Sequence, residues 1–201
     1  MSNEKPDFEK AQNLATELLL KQSNNSLMID VRKFKFDIPI VIDTMQHYCY
    51  VTHSSFNNYV CDEYSGSYVL KLKNGLHLIL YDDSNNCLER KHWGIAHEVG
   101  HIYLGHENDS RKEEIEAHFF AAQLLTPEIL IRYALKCKGK LTTLDIYNNF
   151  NVSYQSAHKR VHTLNNKMVF YNDNDKLLLK KYKSIVEAKF LNVSNNFQRV
   201  I

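Results

Sequence analysis

The segment His97-Glu98-Val99-Gly100-His101 places two histidines four residues apart in an apolar stretch that is compatible with an α-helix. Residues four apart lie on one helix face, so His97 and His101 can direct two imidazoles at one point. Neutral imidazoles suit Zn²⁺, and a carboxylate beside a zinc-bound water can accept its proton. The spacing therefore predicts a zinc site with Glu98 as the general base of a hydrolysis, which is the chemistry of a metalloprotease.

A catalytic zinc site of this kind needs a third protein ligand. A third histidine in the arrangement H-E-x-x-H-x-x-G-x-x-H would require glycine at position 104 and histidine at 107, where the sequence has Leu104 and Glu107. We therefore interpret His106 as a surface residue that ends the helix. The other usual ligand is a carboxylate from a later helix.

Three glutamates compete for this role in the segment 111–125, which is predicted to be helical: Glu113, Glu114 and Glu116. The first two lie in the opening turn, where the helix dipole favours acidic residues without any metal. Glu116 borders the nearly continuous apolar run 117–125, where a carboxylate is costly unless it is paired or metal-bound. We predict Glu116 as the third ligand and keep its two neighbours as alternatives.

Stabilisation of the oxyanion formed during peptide hydrolysis needs a further hydrogen-bond donor. Tyr103 and His118 are the candidates, because one follows the histidine motif and the other follows Glu116. His118 can also support the site from outside the ligand set, and a partly buried structural histidine is the alternative for this residue.

Length and composition predict one domain that is soluble and cytoplasmic. The chain has 201 residues and a formal net charge of +2, so no overall basic charge demands a nucleic-acid partner. Residues 1–10 lack the apolar region of a secretory signal, and the apolar runs are too short to span a bilayer. The cysteines show no C-x-x-C spacing and are interpreted as reduced thiols: Cys49, Cys61, Cys87 and Cys137.

Hydrophobic patterning predicts an α+β fold in which a small N-terminal mixed or antiparallel sheet packs on a mainly helical C-terminal part. The segment 7–22 has the periodicity of an amphipathic helix. Lys73-Asn74-Gly75 is typical of a hairpin turn. Strands are predicted over 38–42, 48–52, 68–72 and 76–81, and further helices over 87–106, 111–125, 127–136, 142–150, 153–166 and 176–190.

Two ordered motifs resemble the ImmA/IrrE family of zinc metallopeptidases. Trp93-Gly94-Ile95-Ala96-His97-Glu98-Val99-Gly100-His101 is similar to F-T-[IL]-A-H-E-[LV]-G-H. The segment from Glu116 to Pro127, EAHFFAAQLLTP, is similar to E-A-[ND]-x-F-A-x-x-L-L-x-P. The resemblance covers about residues 27–165 and includes a closing F-x-V-S segment. It departs from the family at Trp93-Gly94, where Phe-Thr is usual, and at His118, where Asn or Asp is usual.

This resemblance implies a zincin-like domain, which we assign to residues 1–166, followed by an accessory C-terminal tail over 167–201. It also implies site-specific cleavage of a helix-turn-helix repressor that controls a phage, a mobile element or a stress response. Carried over to this chain, the family's site has zinc on His97, His101 and Glu116, with Glu98 as general base.

The main alternative is a DNA-binding regulator, because residues 142–166 have helix-turn-helix spacing. The second helix of this pair carries four polar residues that could face DNA: His158, Lys159, Arg160 and His162. Only Lys159 and Arg160 are permanently charged, so we favour a helical pair that packs beside the catalytic helices. A metal-binding interaction module without proteolysis is a third reading. The intact Glu98 counts against it, since a structural zinc needs no general base.

Overall fold

The computed structural model describes residues 5–55, 66–84, 87–108, 110–164 and 171–191. Cys61 and the ends of two predicted segments, 165–166 and 192–201, lie outside the described residues. The elements are α1 (Phe8–Lys21), a 3₁₀ helix (Val31–Lys33), β1 (Ile40–Thr44), α2 (Met45–Thr52), β2 (Ser67–Lys71), β3 (His77–Tyr81), α3 (Leu88–Leu104), α4 (Arg111–Leu125), α5 (Glu128–Lys138), α6 (Thr143–Asn149), α7 (Tyr154–Leu164) and α8 (Asp173–Phe190).

The described residues form two compact units, one within 5–15 and 30–121 and the other within 16–29 and 122–191. The division falls within α1 and within α4. The first unit contains the sheet and α3, and the second contains α5 to α8. The division of the chain at residue 166 into a domain and an accessory tail stays a prediction.

The sheet of the first unit is mixed and has the strand order β1-β3-β2. β1 pairs in parallel with β3, and β2 pairs antiparallel with β3 through the predicted hairpin. Gly75 closes this hairpin with a φ of +80°, which glycine adopts without steric cost, and its N–H donates to the carbonyl of Leu72 over 2.9 Å. β3 is buried at its centre, with Ile79 and Leu80 at 0% exposure.

The predicted strand over 48–52 is wrong, because these residues belong to α2. The Thr44 hydroxyl accepts a hydrogen bond of 3.0 Å from the N–H of His47 and so caps the first turn. Met45 and Tyr48, three residues apart, pack on the sheet residues Leu78 and Leu80. This cap and the helical spacing of the buried side chains outweigh the β propensity of the segment.

Helices α3 and α4 approach each other closely at Gly100. A Cβ atom there would lie 3.1 Å from Cδ1 of Phe120 and 3.2 Å from the carbonyl oxygen of Ala117. Ile95, Ala96 and Val99 of α3 are fully buried, and α3 also packs against β2 and β3. The glycine of the histidine motif therefore lets α4 lie directly against the helix that carries the two histidines.

The second unit is built from helices. α8 packs against α5 and buries a stripe of residues spaced by four: Leu178, Tyr182, Val186 and Phe190. The Tyr133 hydroxyl of α5 donates to Oε1 of Glu187 over 2.5 Å. The Asn172 side chain accepts from the N–H of Asp175 at the start of α8, and the two residues form the capping box of this helix.

Among the described residues, no helix combines the length and the apolar character that a membrane crossing requires. Three of the four cysteines fall within these residues, and Cys49, Cys87 and Cys137 form no disulfide there.

Candidate metal centre

The two histidines of α3 face each other as the helical spacing predicts. Nε2 of His97 lies 3.0 Å from Nε2 of His101, and the rings meet edge to face with their centroids 4.6 Å apart. His97 is 4% exposed and Glu98 is 9% exposed, because this part of α3 is covered on nearly all sides. The helix thus brings two imidazole nitrogens and a buried carboxylate into one small volume.

The carboxylate that meets both rings belongs to Glu114. Its Oε2 lies 3.4 Å from Nε2 of His97, and its Oε1 lies 3.2 Å from Nε2 of His101. The ligand atoms of a tetrahedral zinc site are about 3.3 to 3.6 Å apart, since zinc–ligand distances are about 2.0 to 2.2 Å. Two imidazole nitrogens and one carboxylate, at separations of 3.0 to 3.4 Å, therefore fit a single divalent metal ion.

The surroundings of this cluster set the charges of its members. Burial lowers the pKa of His101 to about 4, and the neighbouring His97 adds to this shift, so the ring is neutral at pH 7. The hydrogen bond from His97 lowers the pKa of Glu114 to about 2, and the charges of the surrounding histidines act in the same direction. A neutral imidazole and an ionised carboxylate are the protonation states that bind metal.

Glu116 does not meet the two rings. Its Oε2 lies 3.0 Å from Nε2 of His106, and its Oε1 accepts a hydrogen bond of 2.6 Å from the N–H of Asp7. Because Glu114 and His118 are four residues apart, they share the face of α4 that meets His97, and Glu116 lies on another face. The argument that Glu116 is buried and partnered is correct, but the partners that the structure brings to it are His106, the N–H of Asp7 and, at 4.0 Å, the ammonium of Lys112.

His106 is likewise not the surface residue that the sequence predicted, since its side chain is 6% exposed. Gly105 ends α3 with a φ of +74°, and the N–H of His106 donates to the carbonyl of His101 over 3.0 Å. This turn places Nδ1 of His106 3.1 Å from Nδ1 of His101. The sequence could have indicated this contact, because Gly105 ends the helix and a glycine at that position turns the chain back, with His106 as the next residue.

His118 lies beside His97, with ring centroids 4.4 Å apart. One ligand atom from each of His97, Glu114 and His118 lies within 4.8 Å of the other two, which makes this trio a second candidate ligand set. We favour His101 over His118 as the third member, because Nε2 of His101 lies 3.0 Å from His97 and 3.2 Å from Glu114, and its side chain is 13% exposed. His118 is exposed at the edge of the cluster and also contacts Trp93, at 6.2 Å between centroids.

The hydroxyl of Tyr103 bonds to Asp37 and not to the histidine pair. That hydroxyl donates a hydrogen bond of 2.6 Å to Oδ1 of Asp37. Burial raises the pKa of Tyr103, and the hydrogen bond to Asp37 raises it further. The ring packs between Phe36 and Phe120. A structural role for Tyr103 follows from these contacts.

Sequence reasoning named Glu114 only as an alternative ligand and did not find Ser67. Glu114 ranked below Glu116 because an acid in the first turn of a helix needs no metal to explain it. Its signal was the spacing of four residues to His118, which puts both on one helix face. Ser67, whose hydroxyl donates to Oε1 of Glu98 over 3.0 Å, comes from β2 and lies 31 positions away in sequence. No local sequence pattern connects Ser67 with Glu98.

The residues that would support DNA binding divide into buried and exposed ones. Arg160 is 8% exposed, and its guanidinium donates to the carbonyl oxygens of Ala122 and Thr126 and to Oε1 of Gln123. Arg160 therefore caps the C-terminal end of α4 and is not available to a phosphate or a base. Of the two permanently charged residues of the predicted recognition helix, only Lys159 is exposed.

A comparison with protein families finds a match to Peptidase M78, the IrrE N-terminal-like domain, over residues 45–162. This range is more than half of the chain and includes α3, α4 and every residue of the cluster that holds His97, His101 and Glu114. No curated protein and no solved structure matches the chain.

Proposed function

Because the chain belongs to the peptidase family of the IrrE N-terminal-like domain, we propose that it is a zinc-dependent endopeptidase with a zincin-like catalytic domain. The observation that carries this proposal is the convergence of two imidazole nitrogens, 3.0 Å apart, with the carboxylate of Glu114, whose two oxygens lie 3.4 Å from His97 and 3.2 Å from His101, beside the buried carboxylate of Glu98. Two histidines, one carboxylate and one open position are the ligand set of catalytic zinc in several metallopeptidases.

The proposed ligands are His97, His101 and Glu114. Glu114 replaces Glu116 in this assignment, because the carboxylate of Glu114 contacts both imidazoles. The carboxylate of Glu116 is already engaged by His106 and by the backbone of Asp7. Glu98, one residue after the first ligand, is the proposed general base.

The mechanism assigns proton transfer to Glu98. The side chains of His97, His101 and Glu114 would hold a zinc ion, which would supply Lewis-acid activation of a water molecule and of the peptide carbonyl. Glu98 accepts the proton of the attacking water and later delivers it to the nitrogen of the leaving amine. Ser67 holds Oε1 of Glu98 through its hydroxyl, which fixes the orientation of the base. His118, exposed beside His97, is the proposed donor to the oxyanion.

The proposed substrate is a specific helix-turn-helix repressor of a phage, a mobile element or a stress response, cleaved in the cytoplasm. The resemblance of the two motifs to the ImmA/IrrE family supports this substrate class. The buried Arg160 counts against the alternative of a DNA-binding regulator. The intact Glu98 with its hydrogen-bonded partner counts against a metal-binding module without catalysis.

The decisive experiment incubates the purified protein with the repressor encoded beside its gene, once with zinc and once with a chelator. Mass spectrometry of the products then locates any cleaved bond. We expect one dominant cleavage that requires zinc and is absent in Glu98→Gln, although this variant still binds zinc. Cleavage by Glu98→Gln at the wild-type rate would overturn the assigned mechanism. No cleavage by the zinc-loaded wild type would overturn the proposed substrate.

A further inference from the structure

A chain of short polar contacts leads from His101 away from the proposed zinc position. Nδ1 of His101 lies 3.1 Å from Nδ1 of His106, and Nε2 of His106 lies 3.0 Å from Oε2 of Glu116. Oε1 of Glu116 accepts the N–H of Asp7 over 2.6 Å. The side chains of His106 and Glu116 are 6% and 7% exposed, so solvent does not compete for these contacts.

The chemistry of these groups determines where each proton lies. An ionised carboxylate only accepts hydrogen bonds, so Nε2 of His106 must carry a proton and donate it to Glu116. A neutral His106 then has an unprotonated Nδ1, which can only accept. Nδ1 of His101 must therefore be the donor, and the remaining nitrogen of His101, Nε2, keeps its lone pair. That nitrogen is the one that faces His97 and Glu114.

We propose that Glu116 and His106 form a hydrogen-bond relay that holds His101 in the tautomer able to bind a metal through Nε2. Both are positioning residues that act through His101. The proposal rests on the metal centre of the proposed function and adds the two residues that orient one of its ligands. His97 has no such support, because its Nδ1 is buried without a hydrogen-bond partner among the described residues. The relay thus supports one of the two imidazoles.

The N-terminal segment anchors this relay. Asp7 lies just before α1, and its backbone N–H fixes one oxygen of Glu116. Lys10 donates to the carbonyl of Leu104 at the end of α3 over 2.9 Å. Phe8 packs on Phe119 of α4, with centroids 4.8 Å apart. The first turn of α1 therefore contacts both helices that carry the proposed ligands.

The direct test measures the tautomers of the metal-free wild type by long-range ¹H–¹⁵N correlation of the histidine rings. We expect Nδ1 of His101 and Nε2 of His106 to carry protons and Nδ1 of His106 to carry none. A proton on Nδ1 of His106 would overturn the relay. This measurement needs neither zinc nor a substrate, so its outcome is separate from that of the proposed function.

The second test measures zinc affinity by competition with a chelator in three variants. His106→Phe and Glu116→Leu interrupt the relay and are expected to weaken zinc binding about 10- to 100-fold, as the loss of an outer hydrogen bond to a metal ligand does. Glu116→Gln retains an oxygen that accepts from His106 and is expected to recover most of the affinity. Wild-type affinity in a folded His106→Phe protein would overturn the proposal, and absence of zinc binding by the wild type would overturn the proposed function.

Discussion

The hydroxyl of Ser67 lies 3.0 Å from Oε1 of Glu98 and donates a hydrogen bond to it, although the two residues belong to different elements. Ser67 is the first residue of β2, pairs with Tyr81 of β3 and is 4% exposed. Glu98 lies in the buried centre of α3, which packs against β2. The sheet therefore does more than cover the helix, because it holds one oxygen of the proposed general base.

Loss of the Ser67 hydroxyl is expected to lower catalysis and leave the metal in place. A hydrogen bond to a charged group contributes about 1.5 to 3 kcal/mol, so Ser67→Ala should lower kcat about 4- to 12-fold if half of that energy orients Glu98. Ser84→Ala, which removes an exposed hydroxyl that bonds Asp82, is the control. Steady-state kinetics and zinc titration check this prediction. Full activity of Ser67→Ala, or loss of its zinc, would contradict the role assigned to Ser67.

The choice of Glu114 as ligand can be tested against its neighbour Glu113. Glu114→Gln should weaken zinc binding by more than the roughly 100-fold that loss of an outer contact costs, because it removes a ligand charge. Glu113→Gln is the matched control, since the carboxylate of Glu113 accepts from the N–H groups of Glu107 and Ser110 and does not contact the rings.

Calorimetric titration with zinc measures both affinities. Binding of zinc to the folded state also raises Tm, because a ligand that binds only the folded state stabilises it. The zinc-induced shift of Tm should persist in Glu113→Gln and vanish in Glu114→Gln at equal zinc concentration. Equal affinities in the two variants would contradict the assignment.

Because α3 and α4 are in close contact at Gly100, we expect a larger residue there to weaken zinc binding. In Gly100→Ala the helix gains about 1 kcal/mol of propensity. The new Cβ meets Phe120 and two backbone atoms of Ala117, which cannot rotate away, and overpacking costs about 1 to 3 kcal/mol. We expect a net loss of stability of roughly 1 kcal/mol and weaker zinc binding, because α4 carries Glu114.

Gly75→Ala is the matched control for this substitution. It is strained by its φ of +80°, has no atom within 4 Å of the new Cβ and lies in the hairpin. Urea unfolding should show a similar loss of stability in both variants, and zinc titration should show weaker binding only in Gly100→Ala. Unchanged zinc affinity in Gly100→Ala would show that the spacing of α3 and α4 does not control the centre.

Because the guanidinium of Arg160 is buried, we expect its substitution to lower the stability of the protein and not to act on DNA binding. Arg160→Met leaves the carbonyl of Thr126 without the guanidinium that donates to it and should cost about 1 to 3 kcal/mol of unfolding free energy. Lys159→Ala, at an exposed neighbouring position, should change stability by less than about 0.5 kcal/mol. Salt-dependent binding of promoter DNA that Lys159→Ala abolishes would revive the regulator alternative.

The sequence predicts this fold well where one signal dominates. The bounds of α4 are those predicted, Arg111–Leu125, because an acidic first turn and an apolar run both favour a helix there. The hairpin between β2 and β3 is also confirmed, because Asn74-Gly75 specifies a turn. α2 is missed because its Tyr and Val residues favour strands, while its cap and its packing on Leu78 are tertiary facts.

The site divides in the same way. His97, Glu98 and His101 are spaced by a single helix, so their proximity follows from local geometry. Which glutamate meets the two histidines depends on how α4 is rotated about its axis against α3. This rotation decides between Glu114 and Glu116, and the local sequence does not fix it. The contact between Ser67 and Glu98 depends on the packing of β2 against α3 and has no local signal.

The rings of Trp93 and His118 lie 6.2 Å apart at the margin of the cluster, and both residues stand where the sequence departs from the motifs that it resembles. Substituting either residue would remove this contact. Trp93 is also the one tryptophan in the sequence. Its fluorescence thus offers a label-free optical probe of events at His118 and His97.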